Sequence, residues 1–325
     1  MKKLVLFSSV ILALSFFSCN KSNNTEPVAN PPAEAFNPAK ISIDSLFRTV
    51  SELSGETSVS ILGVNYTILS RSRKLEGNSK AAEYLKSRLK SLGLSIVDQR
   101  YSSTGRNIIA IQQGEDKENY FIFCAHYDSF PDSALSPGAD DNASGCSVVL
   151  EAARLISKLK PKYSVIYALW DEEEAGLGSQ YFADSAFTAK MKIKCVMNQD
   201  MIGYDENSSR LAALYQPMEY GSVQYGNIIR DINTRYGYGI NLIPRTSSAP
   251  SDDTFFWGRG FTTIAMSEKL MSFDDPQDTL TNFNKYYHKS SDRLDKFDKT
   301  YFGNMSKLAI TSFAKMIGLD LAASK

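Results

Sequence analysis

Short apolar runs of strand length alternate along most of the chain with segments whose apolar residues recur at helical spacing. The runs predict strands over residues 94–101, 107–112, 120–125, 163–170, 193–198, 211–215 and 261–266. The helical spacing predicts helices over residues 43–53, 79–92, 144–159, 179–185, 223–236 and 304–317. Strands that alternate with helices form a mostly parallel sheet with helices on both faces. The pattern therefore predicts a single α/β domain with a central, mostly parallel mixed β-sheet flanked by helices.

The N-terminal residues depart from this pattern. Two lysines precede an apolar stretch that ends at Phe17, which is typical of a secretory signal and too short for a stable membrane span. The ending Phe-Phe-Ser-Cys resembles a bacterial lipobox, so we expect a signal peptide over residues 1–18 and a lipid on Cys19. Residues 19–40, rich in Asn, Ser, Pro and Ala, are expected to form a flexible tether to a folded domain over 41–325.

This interpretation makes the protein an exported, membrane-anchored lipoprotein of the bacterial cell envelope, on its periplasmic or outer surface. Acyl chains on Cys19 would hold the protein at a membrane without spanning it. The alternative is an ordinary cleaved signal in which this cysteine is incidental.

Composition adds limits on partners and on disulfides. The 325 residues are 43% hydrophobic and 22% charged, as expected of a globular protein. Without Lys2 and Lys3, the 36 basic residues become 34 against 36 acidic ones, so no overall basic excess exists to hold nucleic acid. Three cysteines remain after Cys19, which allows at most one disulfide. Cys124 and Cys195 lie in apolar runs and are interpreted as buried small hydrophobic residues.

Three of the predicted strands end in side chains that can bind a metal ion: His126, the acidic string 172–174 and Asp200. The carboxyl ends of parallel strands meet at one edge of a sheet, so we expect these side chains to cluster. Asp128 follows His126 by two residues, leaves the strand on the same face and is suited to orienting the imidazole. The chain has one other histidine, His288, in a polar segment before the last helix. Such a nitrogen and oxygen ligand set suits Zn²⁺ and sometimes Mn²⁺ or Co²⁺.

Five segments around these residues resemble peptidase family M28, a family of di-zinc exopeptidases. They stand in the family's order within residues 41–318: HYDS at 126–129, PGADDNASG at 137–145, EEAGLGS at 173–179, NQDMIG at 198–203 and HKSSD at 288–292. Five matched segments make this resemblance far more specific than one short motif. It implies a single α/β domain with a central mixed sheet and makes residues 41–325 a zinc exopeptidase catalytic domain.

The resemblance also implies a role for each candidate metal ligand. His126 and Asp200 would hold one zinc ion. Glu174 and His288 would hold a second, and Asp141 would bridge both. The expected cofactor is therefore Zn²⁺, with two ions per chain.

Two aspartates and one glutamate complete the implied site. Asp128 would orient His126, and Asp292 would do the same for the second histidine. Glu173 would be the general base, which takes a proton from the attacking water and returns it to the leaving amine. The acidic string has a third glutamate, so the residues alone leave open a shift by one position to Glu172. The Ala-Gly-Leu that follows fixes the register only through the resemblance.

We therefore expect a metal-dependent aminopeptidase that hydrolyses N-terminal residues from peptides, with peptide substrates and a membrane as its partners and no nucleic acid. The alternatives are a single-zinc glutaminyl cyclase on the same fold, a carboxypeptidase of the same family and a non-catalytic binding lipoprotein. The full ligand set and the pair Glu173 and Glu174 favour two metals and hydrolysis over the cyclase. Non-catalytic relatives generally lose ligands, and none is missing here.

Overall fold

The computed structural model describes residues 34–268 and 284–323. Within these residues the chain forms seven α-helices and ten strands. The helices are α1 Ile43–Leu53, α2 Glu76–Lys90, α3 Gly145–Ile156, α4 Gly178–Thr188, α5 Ser222–Tyr236, α6 Asp253–Trp257 and α7 Lys299–Met316. The strands are β1 Val59–Ile61, β2 Val64–Tyr66, β3 Ser95–Arg100, β4 Arg106–Gln112, β5 Asp116–His126, β6 Tyr163–Trp170, β7 Lys192–Gln199, β8 Leu211–Tyr215, β9 Asn241–Arg245 and β10 Thr263–Ser267.

Eight of these strands form one mixed sheet in the order β3-β4-β6-β5-β7-β10-β8-β9. The pairings β6–β5, β5–β7, β7–β10 and β8–β9 are parallel, and the other three are antiparallel. The buried apolar side chains form separate clusters. Helices α1, α2, α3, α5 and α7 contribute to the largest cluster, and α4 and α6 contribute to a smaller one. The expected α/β domain with a central mixed sheet is therefore confirmed.

Polar caps set where the first and last helices begin. The Ser42 hydroxyl accepts a hydrogen bond from the Ser45 N–H at the start of α1, and this helix has the predicted bounds. The Asp298 carboxylate accepts one from the Tyr301 N–H at the start of α7. Apolar spacing alone predicts a start at residue 304, five residues late, because the cap rather than the apolar stripe determines the first turn.

Four short elements are absent from the sequence prediction. They are the hairpin of β1 and β2, the strand β9 beside β8, and the helix α6. Each is three to five residues long, which is shorter than the window in which apolar spacing is informative.

The folded domain begins before residue 41. Phe36 is buried, its N–H donates to the Asp320 carbonyl at 2.8 Å, and its own carbonyl accepts from the Ala322 N–H at 2.9 Å. Residues 36–40, which composition assigns to the tether, therefore belong to the domain, because an apolar side chain in the polar run finds a place in the core. The expected signal peptide, Cys19 and the tether up to residue 33 lie outside the described residues. No helix among the described residues is both long and apolar enough to cross a membrane.

The core beside the central strands is filled by aromatic and small side chains. Phe123 of β5 stacks on Phe313 of α7 with ring centres 4.5 Å apart, and both side chains are fully buried. The three described cysteines are buried free thiols: Cys124, Cys146 and Cys195. This confirms the interpretation of Cys124 and Cys195 as buried hydrophobic residues.

Replacing Phe313 with alanine should lower the free energy of unfolding by about 3–5 kcal/mol, because it removes a buried ring and leaves a cavity against Phe123. Chemical denaturation measures this loss. Phe187→Ala is the matched control, since the Phe187 side chain is 59% exposed, and it should change the unfolding free energy by no more than about 0.5 kcal/mol. Equal effects of the two substitutions would contradict the described packing.

Candidate metal centre

Three parallel strands bring their carboxyl ends to one edge of the sheet. β5 ends at His126, β6 at Trp170 and β7 at Gln199. Because β5 pairs in parallel with both β6 and β7, the residues that follow these ends are neighbours. This topology places His126, the acidic loop 171–174 and Asp200 at one edge, as the sequence predicts.

One group of candidate ligands forms around His126. Its Nε2 lies 3.2 Å from Oδ1 of Asp141 and 3.5 Å from Oδ1 of Asp200. The ligand atoms of these three residues all lie within 4.8 Å of one another. An imidazole nitrogen with two carboxylate oxygens at this spacing can hold a divalent cation.

A second group forms around His288 and shares one residue with the first. The Nε2 of His288 lies 3.2 Å from Oδ2 of Asp141 and 3.1 Å from Oε2 of Glu174. The two oxygens of Asp141 therefore face two different imidazoles, and Asp141 belongs to both groups. The structure thus brings together all five ligands that the sequence resemblance implies.

Several donor atoms of these groups are buried and make no hydrogen bond with a described residue. They are Nε2 of His126, Nε2 of His288, Oδ1 of Asp200 and Oε1 of Glu174. A buried polar atom without a partner costs roughly 1–3 kcal/mol. Because the ligand atoms of each group also lie within 4.8 Å of one another, the residues present fit a cation at each group.

Asp128 connects the first histidine to the acidic loop. Its Oδ1 lies 3.3 Å from Nδ1 of His126, the ring nitrogen that faces away from the candidate cation. Its carboxylate also accepts hydrogen bonds from the N–H groups of Glu173 at 3.0 Å and Glu174 at 3.2 Å. One buried carboxylate therefore lies against the imidazole of His126 and, through two hydrogen bonds, holds the loop that carries two acidic side chains.

The geometry separates the three glutamates that follow β6. The Oε2 of Glu173 lies 4.0 Å from Nε2 of His126, and Glu174 is in the second ligand group. Glu172 instead accepts a hydrogen bond from the Thr104 hydroxyl at 2.8 Å. This arrangement favours Glu173 over Glu172 for a role at the centre.

Asp292 contacts a different part of the centre from the one expected. Its carboxylate accepts hydrogen bonds from the N–H groups of Asp140 at 3.0 Å and Asp141 at 3.1 Å. His288 itself packs between aromatic rings, with ring centres 4.5 Å from Phe130 and 3.6 Å from Tyr287. The described contacts of Asp292 therefore hold the loop of the shared ligand, and its expected pairing with His288 stays a prediction.

Arg71 is a second anchor of this loop, and the sequence patterns gave no indication of it. Its guanidinium is fully buried and donates only to main-chain carbonyls. The acceptors come from separate segments: Leu53 at the end of α1, Tyr127 after β5, and Pro137 and Gly138 ahead of Asp141. The side chain thus fixes the entry to the shared ligand against the end of β5.

Burial and crowded carboxyl groups shift the pKa values at the centre. Burial disfavours the charged form of His288, but the Asp141 and Glu174 carboxylates outweigh it and raise the pKa of this imidazole to about 9. Burial raises the pKa of Glu174 to about 7, and the charge of Asp141 adds to this effect. Burial also raises the pKa of Glu173 well above its usual range. Without cations, the centre therefore holds protons near neutral pH.

Two further residues lie near the centre but are not among the predicted site residues. Asp252 is fully buried, and its negative charge contributes to the raised pKa of Glu173. Burial and the charges of the centre, Asp141 foremost, raise the pKa of the Tyr287 hydroxyl. The signal that could have found Tyr287 is its position directly before His288.

Fold and site together define an α/β domain with two adjoining candidate metal sites that share one aspartate. The family model for Peptidase family M28 matches residues 107–313, a range that contains all five candidate ligands and Glu173. The chain belongs to this family.

Curated relatives match parts of the chain. A protein described as a probable zinc metalloprotease from Pyrenophora teres f. teres is 27% identical over 190 residues, covering 51% of this chain and 40% of that protein. Leucine aminopeptidase 1 of Trichophyton equinum is 28% identical over 236 residues, covering 67% of this chain and 60% of that protein. The chain thus spans less than two thirds of the length of these relatives.

Solved structures share the fold over most of the chain. The LapA aminopeptidase of Legionella pneumophila superposes with a TM-score of 0.72 at 21% identity, covering 88% of this chain and 74% of that one. The glutaminyl cyclase of Porphyromonas gingivalis superposes with a TM-score of 0.68 at 21% identity, covering 85% of this chain and 99% of that one. At these identities the likeness establishes the fold.

Arg71→Lys should lower the metal affinity of the centre by about 10–100-fold, because an ammonium cannot reach carbonyls on three segments and the Asp141 loop loses its anchor. Metal content after dialysis against buffered metal measures this change. Arg106→Lys is the matched control: Arg106 is also buried but bonds Asp98 and Glu83 on another part of the sheet. Both variants should lose stability, and an equal metal content in the two would refute the assigned role of Arg71.

Proposed function

We propose that the protein is a zinc-dependent aminopeptidase that binds two zinc ions. The observation that carries this proposal is Asp141, whose two carboxylate oxygens each lie 3.2 Å from Nε2 of a different histidine. His126 and Asp200 complete one zinc site, and His288 and Glu174 complete the other. Paired metals that share a carboxylate suit a hydrolytic reaction, and mixed nitrogen and oxygen ligands suit zinc.

Zinc in such a site supplies a nucleophilic water near neutral pH and polarises the scissile carbonyl. The chain supplies proton transfer and hydrogen bonds. Glu173 takes the proton of the attacking water and gives it to the leaving amine, and its raised pKa suits a group that carries a proton between two steps.

The surroundings of the centre favour a substrate with a free amino terminus. Six acidic side chains lie at the centre: Asp128, Asp141, Glu173, Glu174, Asp200 and Asp252. These surroundings favour a cationic ammonium over the carboxylate of a peptide's C-terminus. This supports aminopeptidase over carboxypeptidase activity.

The relatives supply independent support, although this chain spans only part of them. One is described as a probable zinc metalloprotease, one is named leucine aminopeptidase 1, and LapA is described as an aminopeptidase. The glutaminyl cyclase neighbour supports a second candidate function, since the fold match covers 99% of that chain. Against a single-zinc cyclase stands the presence of two complete ligand groups, one around His126 and one around His288.

Turnover of three substrate types tests the function. The zinc-loaded protein should hydrolyse aminoacyl anilides, leave N-blocked analogues intact and lose activity with a chelator, and zinc should restore it. Peptides with N-terminal glutamine should be hydrolysed rather than cyclised. Cyclisation without hydrolysis would contradict the aminopeptidase function and support the glutaminyl cyclase.

Glu173→Gln should lower kcat by about 10²–10⁴-fold, because an amide cannot accept the proton of the attacking water. Metal content should remain at two zinc ions, since Glu173 lies outside both ligand groups. Glu172→Gln is the matched control and should retain most activity, because Glu172 bonds Thr104. A larger loss of kcat in Glu172→Gln than in Glu173→Gln would assign the general base to Glu172.

Zinc binding should release protons at pH 7. The pKa of His288 is raised to about 9 and that of Glu174 to about 7 in the cation-free protein, and zinc binds only the deprotonated forms. Zinc affinity should therefore fall as the pH is lowered below about 9, by roughly tenfold per pH unit for each proton displaced. Titration calorimetry in two buffers of different ionisation enthalpy counts these protons, and a count of zero would contradict the assigned environment of His288.

The proposal includes an exported form anchored through a lipid on Cys19. Its support is the order of two lysines, an apolar stretch and Phe-Phe-Ser-Cys at the N-terminus. Growth with a labelled fatty acid should label the wild-type chain, and Cys19→Ser should abolish the label. Incorporation that persists in the serine variant would place the lipid elsewhere.

A further inference from the structure

A basic surface lies at the edge of the sheet opposite the metal centre. It consists of the first residues of β5 and β7 and the residues that precede β5, β6 and β7, namely 115–119, 157–162 and 189–194, and we call it the amino-end surface. These strands are parallel neighbours, so the three segments meet at one edge. The surface has three acidic residues and seven exposed lysines: Lys117, Lys158, Lys160, Lys162, Lys190, Lys192 and Lys194.

Most of these lysines are not neutralised. Lys160 pairs with Glu115 at 3.6 Å, and Lys192 pairs with Glu118 at 2.5 Å. The other five make no ion pair with any residue in the described part of the chain. The surface thus carries a local charge of about +4 in a chain whose overall formal charge is zero.

The chain enters the folded domain beside this surface. Phe36 and Lys158 line the same cavity of about 340 Å³. The Ile317 carbonyl accepts hydrogen bonds from the N–H groups of Lys162 and Tyr163, three residues before Asp320, whose carbonyl binds Phe36. The eight residues of β6 separate this end from the metal centre, a distance of about 25 Å at the usual rise of a strand.

We propose that the amino-end surface docks on an anionic phospholipid surface and that the metal centre then faces away from the membrane. The proposal rests on the lipid anchor at Cys19. Fourteen residues lie between Cys19 and Glu34 and span at most about 50 Å, so an anchored domain stays close enough for these lysines to contact the bilayer, and their charge selects its orientation. Each lysine close to an anionic bilayer strengthens binding by about fivefold.

This orientation fits the reaction assigned to the centre. A docked domain presents the carboxyl edge of its sheet to the aqueous phase, where peptides approach without passing the bilayer. The acidic centre is also kept away from negative lipid headgroups, which would repel it.

Lysine accessibility on vesicles tests the docking. The full-length chain, processed by its bacterial host, is reconstituted into phosphatidylcholine vesicles with or without phosphatidylglycerol. Reaction with an amine-directed reagent is then mapped by mass spectrometry. Labelling of Lys190, Lys192 and Lys194 should be about fivefold slower on the anionic vesicles at low salt, and high salt should remove the difference.

Two matched triple variants separate this surface from charge in general. Lys158→Gln, Lys160→Gln and Lys162→Gln together should abolish the protection of residues 190–194. The control removes three lysines from the opposite end: Lys74→Gln, Lys285→Gln and Lys299→Gln. It loses the same charge and should keep the protection, whereas equal effects of the two triples would overturn the proposal.

The remaining outcomes separate docking from anchoring. The mass of the N-terminal peptide shows whether Cys19 carries lipid. Protection without lipid supports docking and rejects the anchor, while equal labelling on both vesicle types with the lipid present overturns docking alone. If neither the lipid on Cys19 nor the protection of the lysines is found, the anchor and the docking are both overturned. Protection by heparin but not by anionic vesicles would assign the surface to a soluble polyanion and overturn the membrane proposal.

Discussion

The metal centre at the carboxyl edge of the sheet holds several buried carboxyl groups side by side, and their mutual repulsion constrains the surrounding structure. Asp141 is central, because its two oxygens face the imidazoles of His126 and His288. Burial acts to raise its pKa, but the two imidazoles outweigh burial and lower it. Two like charges 4 Å apart repel by about 4 kcal/mol at the effective dielectric of a protein surface. Protons or cations must offset this repulsion, so cation binding and the arrangement of these loops are linked.

Hydrogen bonds between distant segments hold the ligand loops against that repulsion. Arg71 binds the carbonyls ahead of Asp141, and Asp292 binds the N–H groups of the same loop. Asp128 does the same for the loop of Glu173 and Glu174. In each case a side chain from one segment fixes the backbone of another. The donor atoms are therefore positioned before a cation arrives, which is the condition for a precise site.

The part of the centre that follows from strand ends could be predicted from the sequence, and the part that depends on tertiary contacts could not. His126 and Asp200 come directly after apolar runs, and parallel strands must bring such residues together. Arg71 stands in a polar segment and bonds Tyr127 and Gly138, which are 56 and 67 residues away. A buried arginine and an exposed one have the same sequence pattern. The resemblance assigns Asp292 to His288, whereas its hydrogen bonds run to a loop more than 150 residues away.

The same topology that gathers carboxylates at one edge gathers lysines at the other. Each parallel strand begins at one edge and ends at the opposite one, so loops before and after β5, β6 and β7 form separate surfaces. Acidic residues dominate the loops that follow these strands and lysines the loops that precede them. Net charge sums both edges and conceals the difference. A chain without net charge can therefore carry opposite charges at its two ends. An anionic surface then selects one orientation of the domain without a specific lipid contact.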